Sequence, residues 1–151
     1  MYVDESGIHT YLQREYARAA RGEIIEEATP GKRCDRINII GALCNGKYAA
    51  IQCYRHRTNS QFFEDWVKNK VLKEIPNGYM VLMDNAAFHR KKELRKIVRG
   101  NVRLLFLPPY APDYNPIEKS WANMKRFLRN TLKDFQSVAS AIYYYFELID
   151  N

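Results

Sequence analysis

The stretch Tyr79-Met80-Val81-Leu82-Met83-Asp84-Asn85-Ala86-Ala87-Phe88-His89-Arg90 decides how the rest of the chain is read. An apolar run too short for a helix, entered through the Pro76-Asn77-Gly78 turn, predicts a buried strand over 79–83. The strand delivers an acid, Asp84, at its C-terminal end. In open α/β sheets, sites form at such strand ends. A plainer reading is also available: Asp84 followed by Asn85 suits an Asx turn, common after strands.

Downstream, residues 91–99 have helical periodicity, with Leu94, Ile97 and Val98 inward and Lys92, Arg95, Lys96 and Arg99 outward. Gly100 takes the C′ position that ends it. A strand follows over 102–107, closed by Pro108-Pro109. Asn115 as N-cap, Pro116 at the first helical position and Glu118 at the third then open another helix. Its apolar stripe is Ile117, Trp121, Met124 and Leu128. Glu118 therefore stands where a metal-binding carboxylate or a plain capping-box partner of Asn115 would stand. A last helix is expected over about 134–149, burying Phe135, Val138, Ile142 and Phe146.

Upstream, Tyr2-Val3 forms a very short strand into Asp4, continued over Ile8–Leu12 beyond Ser6-Gly7. The segment 13–36 is polar and mixed, with a turn at Thr29-Pro30-Gly31 and a minor strand at 23–26. Runs 37–44 and 47–54 flank Asn45-Gly46, a type I′ hairpin signal. Thr58 and Gln61 form a capping box for a helix to about Glu74 that buries Phe63, Val67 and Val71. The order of elements predicts one α/β domain over 1–151, a mixed sheet flanked by helices.

Composition supports a folded chain: 151 residues, 46% hydrophobic and 27% charged, with no apolar run near membrane-spanning length and no signal peptide. Cys34, Cys44 and Cys53 have no framework spacing and suit reduced thiols of a cytoplasmic protein, packed in or near the core. A net charge of +7 and pI near 9.3 agree with a polyanionic partner. Cations gather beside both acids: the segment 90–103 holds seven Lys/Arg against the single acid Glu93, and 119–133 holds five Lys/Arg and no acid.

Three acids on separate elements, Asp4, Asp84 and Glu118, suit a pair of hard divalent ions clamping a phosphoryl displacement. Asp4 taken alone reads equally well as a terminal acid. Lys125 and Arg129 lie at +7 and +11 from Glu118 on one helix face, with Lys92, Arg95 and Lys96 on the preceding helix. These five are the candidate phosphate contacts, although solvated basic faces share the same spacing. Trp66, Trp121 and the tyrosines 143–145 suit packing better than base stacking. A glycosidase-like use of paired carboxylates is disfavoured by the basic surroundings.

The strings Met83-Asp84-Asn85-Ala86-Ala87-Phe88-His89 and Leu107-Pro108-Pro109-Tyr110-Ala111-Pro112-Asp113-Tyr114-Asn115-Pro116-Ile117-Glu118 resemble the catalytic half of DDE transposases, in the mariner superfamily and its bacterial insertion-sequence branch. Val3-Asp4-Glu5-Ser6-Gly7 is similar to the first motif of that family, and 33 residues separate Asp84 from Glu118, close to the family's spacing. The resemblance implies an RNase H-like fold, shared with retroviral integrases. It implies two Mg²⁺ ions, or Mn²⁺, on Asp4, Asp84 and Glu118, with Asn85, His89 and Asn115 in support. It implies cleavage of double-stranded DNA at element ends and strand transfer by a homodimer in a bacterial, nucleoid-associated setting. A helix-turn-helix region normally precedes such a domain; the expectation is that this chain lacks one, as a domain fragment, as a decayed remnant, or as the downstream product of a split frame whose upstream reading frame supplies it. The alternatives are an inactive remnant that binds DNA by charge alone, and an RNase H-like nuclease.

Overall fold

The computed structural model describes residues 1–9, 36–98, 100, 102–108 and 114–150. The expected turn at 29–31, the minor strand at 23–26, the strand continuation beyond His9, Cys34, Arg99 and the 109–113 part of the proline-rich loop lie outside the described residues.

Five strands form one mixed sheet in the order β3-β2-β1-β4-β5. They are β1 (Tyr2–His9), β2 (Arg36–Cys44), β3 (Lys47–Tyr54), β4 (Met80–Met83) and β5 (Arg103–Phe106). β1, β2 and β3 are antiparallel neighbours, whereas β4 runs parallel to both β1 and β5. β1 is not the very short strand expected: it pairs with β2 without a break from Tyr2 to His9, straight through Ser6-Gly7. Cross-strand hydrogen bonding to a full partner overrides the weak strand propensity of that dipeptide. Asn45 and Gly46 both take positive φ, 52° and 80°, as a type I′ hairpin requires.

Helices cover both faces. On one lie α1 (Ser60–Trp66), which runs on through a π-helical turn at Val67–Val71 into α2 (Leu72–Glu74), and α3 (Lys91–Ile97). Phe63, Trp66, Val67, Val71 and Leu94 pack there against Val3, Ile40, Val81 and Met83. On the other lie α4 (Ile117–Thr131) and α5 (Val138–Asp150). Ile117, Trp121, Met124, Leu128 and Ile142 meet Ile8, Ile37 and Ile39. The expected α4 stripe is buried throughout.

Helix starts depart from expectation in three places. The cap of α1 is Asn59, whose Oδ1 accepts from Phe62 N at 2.9 Å; Thr58 instead bonds the Tyr54 hydroxyl at 2.7 Å. Asn115 does not cap α4 with its side chain: its backbone oxygen accepts from Glu118 N at 3.1 Å, while its buried Oδ1 has no partner among the described residues. α5 begins at Val138, after a 3-10 turn at Leu132–Asp134, because Ser137 Oγ accepts from Ser140 N at 3.0 Å and starts the helix there.

Candidate active site

The sheet register sets the site. Tyr2 pairs with Leu82, so the parallel register directs the β1 residues after it, Asp4 among them, toward the end of β4 from which Asp84 follows. Alternation along β1 then sends Asp4 and Glu5 to opposite faces. Asp4 faces α4, where its Oδ2 accepts from the Trp121 indole Nε1 at 3.0 Å. Glu5 faces α1 and α3, where its Oε1 lies 3.4 Å from His89 Nε2.

Asp4 is buried, and its neighbours include acids. Burial first, then the charges of Glu5 and Glu118, push its carboxyl up to about 7, against the opposing pull of the hydrogen bonds from the Glu5 backbone and Trp121. Glu118 is exposed at the start of α4 yet near enough to act on Asp4, so two of the three expected acids converge from β1 and α4.

Asp84 leaves β4 into a turn. Its Oδ1 accepts from Ala86 N at 3.1 Å and meets His89 Nδ1 at 3.0 Å. That is the Asx geometry of the plainer reading, and it coexists with a functional one: the carboxylate is half-exposed and only Oδ1 is engaged among the described residues. The bond with His89 outweighs partial burial and holds the Asp84 carboxyl below the usual carboxylate range. Burial alone would lower the His89 pKa, but its bonds to Asp84 and Glu5 together outweigh burial and raise it to about 9. The ring is wedged against Phe63 at 4.1 Å between centroids and Phe88 at 4.6 Å. His89 thus positions Asp84 from the side opposite Asp4.

Asn85 is exposed in the same turn. Of the expected phosphate contacts, Lys92, Arg95 and Lys96 lie on α3, with Lys96 bonded to Glu93 at 2.8 Å. Lys125 and Arg129 ride on α4. Because α3 and α4 pack on opposite faces of the sheet, these five cations form two separate surfaces.

Three contributors have no local signature in the sequence. Glu5 sits beside a stronger candidate, yet Glu5, Asp84 and His89 bring ligand atoms within 4.8 Å of one another, the spacing of a metal-binding group. Trp121 is legible only as core. The Glu64–Arg90 pair spans 26 residues: Arg90 Nε and Nη2 donate to the buried Glu64 carboxylate at 2.7 and 2.6 Å, tying α1 to the residue after His89. No pattern along the chain announces that pairing.

The donors fit divalent ions. They are hard oxygens, and the charges of Glu5 and Glu118 both oppose ionisation of Asp4, with no described lysine or arginine acting on that buried carboxyl. A divalent cation held by these oxygens would offset that repulsion.

Comparison with known proteins bears on the fold and the family. A curated but uncharacterised protein of Sinorhizobium fredii is 33% identical over 63 residues, covering 40% of this chain and 45% of that protein. The Mos1 transposase paired-end complex with the left transposon end superposes with a TM-score of 0.70 at 18% identity, covering 97% of this chain and 46% of that one. A Mos1 mariner paired-end complex with Mn gives 0.61 at 16% identity, with the same coverages of 97% and 46%. A simian T-cell lymphotropic virus intasome gives 0.59 at 12% identity over 95% of this chain and 45% of that one. The chain therefore spans less than half the length of these relatives, and it shares the RNase H-like fold of transposases and integrases. The profile of the DDE superfamily endonucleases matches residues 1–139, and the chain belongs to that family.

Proposed function

We propose that this chain is the catalytic domain of a bacterial insertion-sequence transposase, cutting double-stranded DNA and joining its ends to a target. The convergence of Asp4 and Glu118 beside the β4 end that carries Asp84 is the observation that supports it. Asp4, Asp84 and Glu118 would hold two divalent ions, Mg²⁺ in the cell and Mn²⁺ as a substitute. Bound there, the ions supply positive charge at the attacking and leaving oxygens of an in-line displacement.

The chain's own groups prepare that displacement. Trp121 locks the Asp4 carboxylate, His89 holds one Asp84 oxygen and leaves the other to face the reaction, and Glu118 reaches in from the helix start. Water attacks the phosphodiester at the element end; the P–O bond to the 3′ oxygen breaks, leaving a 3′-hydroxyl and a 5′-phosphate. That hydroxyl then attacks a target phosphodiester, forming one P–O bond as another breaks. Lys92, Arg95, Lys96, Lys125 and Arg129 contact flanking phosphates, and Asn85 and Asn115 shape the loops around the acids. A homodimer on paired ends completes the reading, with residues 1–151 as a single catalytic domain acting at the nucleoid.

The experiment is Mg²⁺-dependent cleavage and joining of end-containing duplex by the parent chain, Asp84→Asn and Glu118→Gln. Both variants should lose cleavage and joining, and Mg²⁺ should raise the melting temperature of the parent only. Cleavage that survives both substitutions refutes the assignment. Cutting of RNA–DNA hybrids without joining would replace it with an RNase H-like nuclease.

A further inference from the structure

A cleft of about 990 Å³ opens where the outer ends of β2 and β3 meet the entry to α1 and the Ala87–Phe88 turn. Resting on the reading of the acids as a DNA-cutting centre, we infer that this cleft holds the DNA backbone adjoining the cut phosphodiester, with Arg36, Arg55 and Arg57 as its phosphate contacts. None of these three belongs to the basic helix faces that the sequence singles out.

The charge is one-sided. Arg36, Arg55 and Arg57 line the cleft, and no acid among the described residues does. Arginine presents a planar fork that takes phosphate oxygens in pairs, which a lysine ammonium does not.

One of the arginines is built into place. Arg36 Nε donates to Asn38 Oδ1 at 2.9 Å, and Asn38 Nδ2 donates in turn to His56 O at 2.8 Å. The guanidinium lies against Gly7 on β1, where an added Cβ would stand only 2.6 Å from Arg36 Cζ. Gly7 permits this close approach, and a methyl there would push the end of the Arg36 side chain aside. It belongs to the Asp4-Glu5-Ser6-Gly7 motif, so the same strand supplies an acid to the reaction and a seat for a cation beside it. Nε is committed to Asn38 and Nη2 lies nearest Gly7, which fixes the plane of the guanidinium at the cleft.

The cleft also adjoins the acids. Ala87 and Phe88 form part of its wall and lie between Asp84 and His89 in the same turn. Tyr54 feels the charges of both Glu5 and Arg36, and its hydroxyl holds Thr58 of the cleft lining at 2.7 Å. A polymer that reaches the Asp84 turn can thus continue along the wall formed by Ala87 and Phe88 into the cleft.

The test is the salt dependence of binding of a labelled DNA duplex, followed by fluorescence anisotropy. Removing one phosphate partner flattens the slope of log K against log[salt] by about one, so Arg36→Ala/Arg55→Ala/Arg57→Ala should flatten it by about three. Lys68→Ala/Lys70→Ala/Lys73→Ala removes the same charge from the far part of the α1–α2 segment and should change the slope by less than about one. Gly7→Ala keeps every charge, displaces the Arg36 guanidinium and should flatten the slope by about one. Circular dichroism confirms that each variant is folded. Equal effects of the arginine and lysine sets, an unchanged slope in the arginine set, or a parent chain with no salt-dependent binding each overturn the proposal. If the arginine set binds like the parent while Asp84→Asn loses cleavage, the cleft assignment alone fails. Cleavage that persists in Asp84→Asn sinks the transposase reading whatever the slopes are.

Discussion

Replacing Asp4 by Asn should stabilise the metal-free chain at alkaline pH while abolishing its activity. The folded chain holds the Asp4 proton with a pKa of about 7, against an ordinary value of 3.8. A carboxyl raised on folding favours the native state while protonated; relative to the fully ionised group that contribution is complete below about pH 4 and is lost as pH rises through about 7. A shift of about three units corresponds to about 4 kcal/mol in all, of which about 3 kcal/mol falls between roughly pH 5 and pH 8.5. Asn does not titrate, and its Oδ1 can still accept from the Trp121 indole. Its amide hydrogens need partners that a carboxylate did not, costing about 1–2 kcal/mol. The net gain expected at pH 8.5 is about 2 kcal/mol, from the 4 less that cost. Urea unfolding of both chains in EDTA, followed by tryptophan fluorescence at several pH values, measures it; other titrating groups cancel in the difference. A stability difference that is flat with pH, or an Asn variant weaker than the parent at pH 8.5, refutes the account of Asp4 as a strained acid.

Trp121→Phe removes the indole N–H that meets Asp4 and leaves a gap in the α4–α5 core. About 2 kcal/mol for the bond and about 1 for the gap predict a decrease near 3 kcal/mol in urea unfolding; a decrease under about 1 would show that the bond contributes little. Gly41 pairs with Asp4 across the sheet, and a Cβ there would press on Ile51 and come within 3.0 Å of Trp121 Cη2. Gly41→Ala should therefore cost about 1–3 kcal/mol and lower cleavage with it; a variant with parental melting temperature and activity would contradict this. Glu64→Gln breaks the fork that Arg90 makes across α1 and should lower Mg²⁺-dependent cleavage about tenfold. Arg90→Lys should fall similarly because it keeps the charge and loses the fork, and parental kinetics in both would dismiss the pair as a support. Burial raises the Cys53 thiol to about 11, so iodoacetamide should leave it unmodified at pH 8 in the folded chain; rapid alkylation there would show the strand to be open.

Much of the site is legible because its parts are local. Asp84 follows a short apolar strand, Glu118 sits in the first turn of a helix with a clear stripe, and Asn45-Gly46 specifies its hairpin by backbone conformation alone. Capping is harder to read. Thr58 and Asn59 are adjacent and both able, and the role falls to Asn59 because Tyr54 claims the Thr58 hydroxyl. Asn115 has the right spacing from Glu118, but burial turns its side chain away from the capping role. The proposed phosphate surface is likewise hidden: Arg36, Arg55 and Arg57 stand on different strands and loops, and only the hairpin brings them to one cleft.

Periodicity and turn chemistry, properties of neighbours along the chain, determined by themselves the alternation of strands and helices, the family motifs and the identity of three acids. Which groups stand around those acids was decided by the tertiary structure. The packing of α4 brings Glu118 and Trp121 over β1 at Asp4, and the turn after β4 swings His89 between Asp84 and Glu5. Charge repulsion at Asp4 comes from its neighbour Glu5 and from Glu118, far along the chain, and burial is what makes it felt.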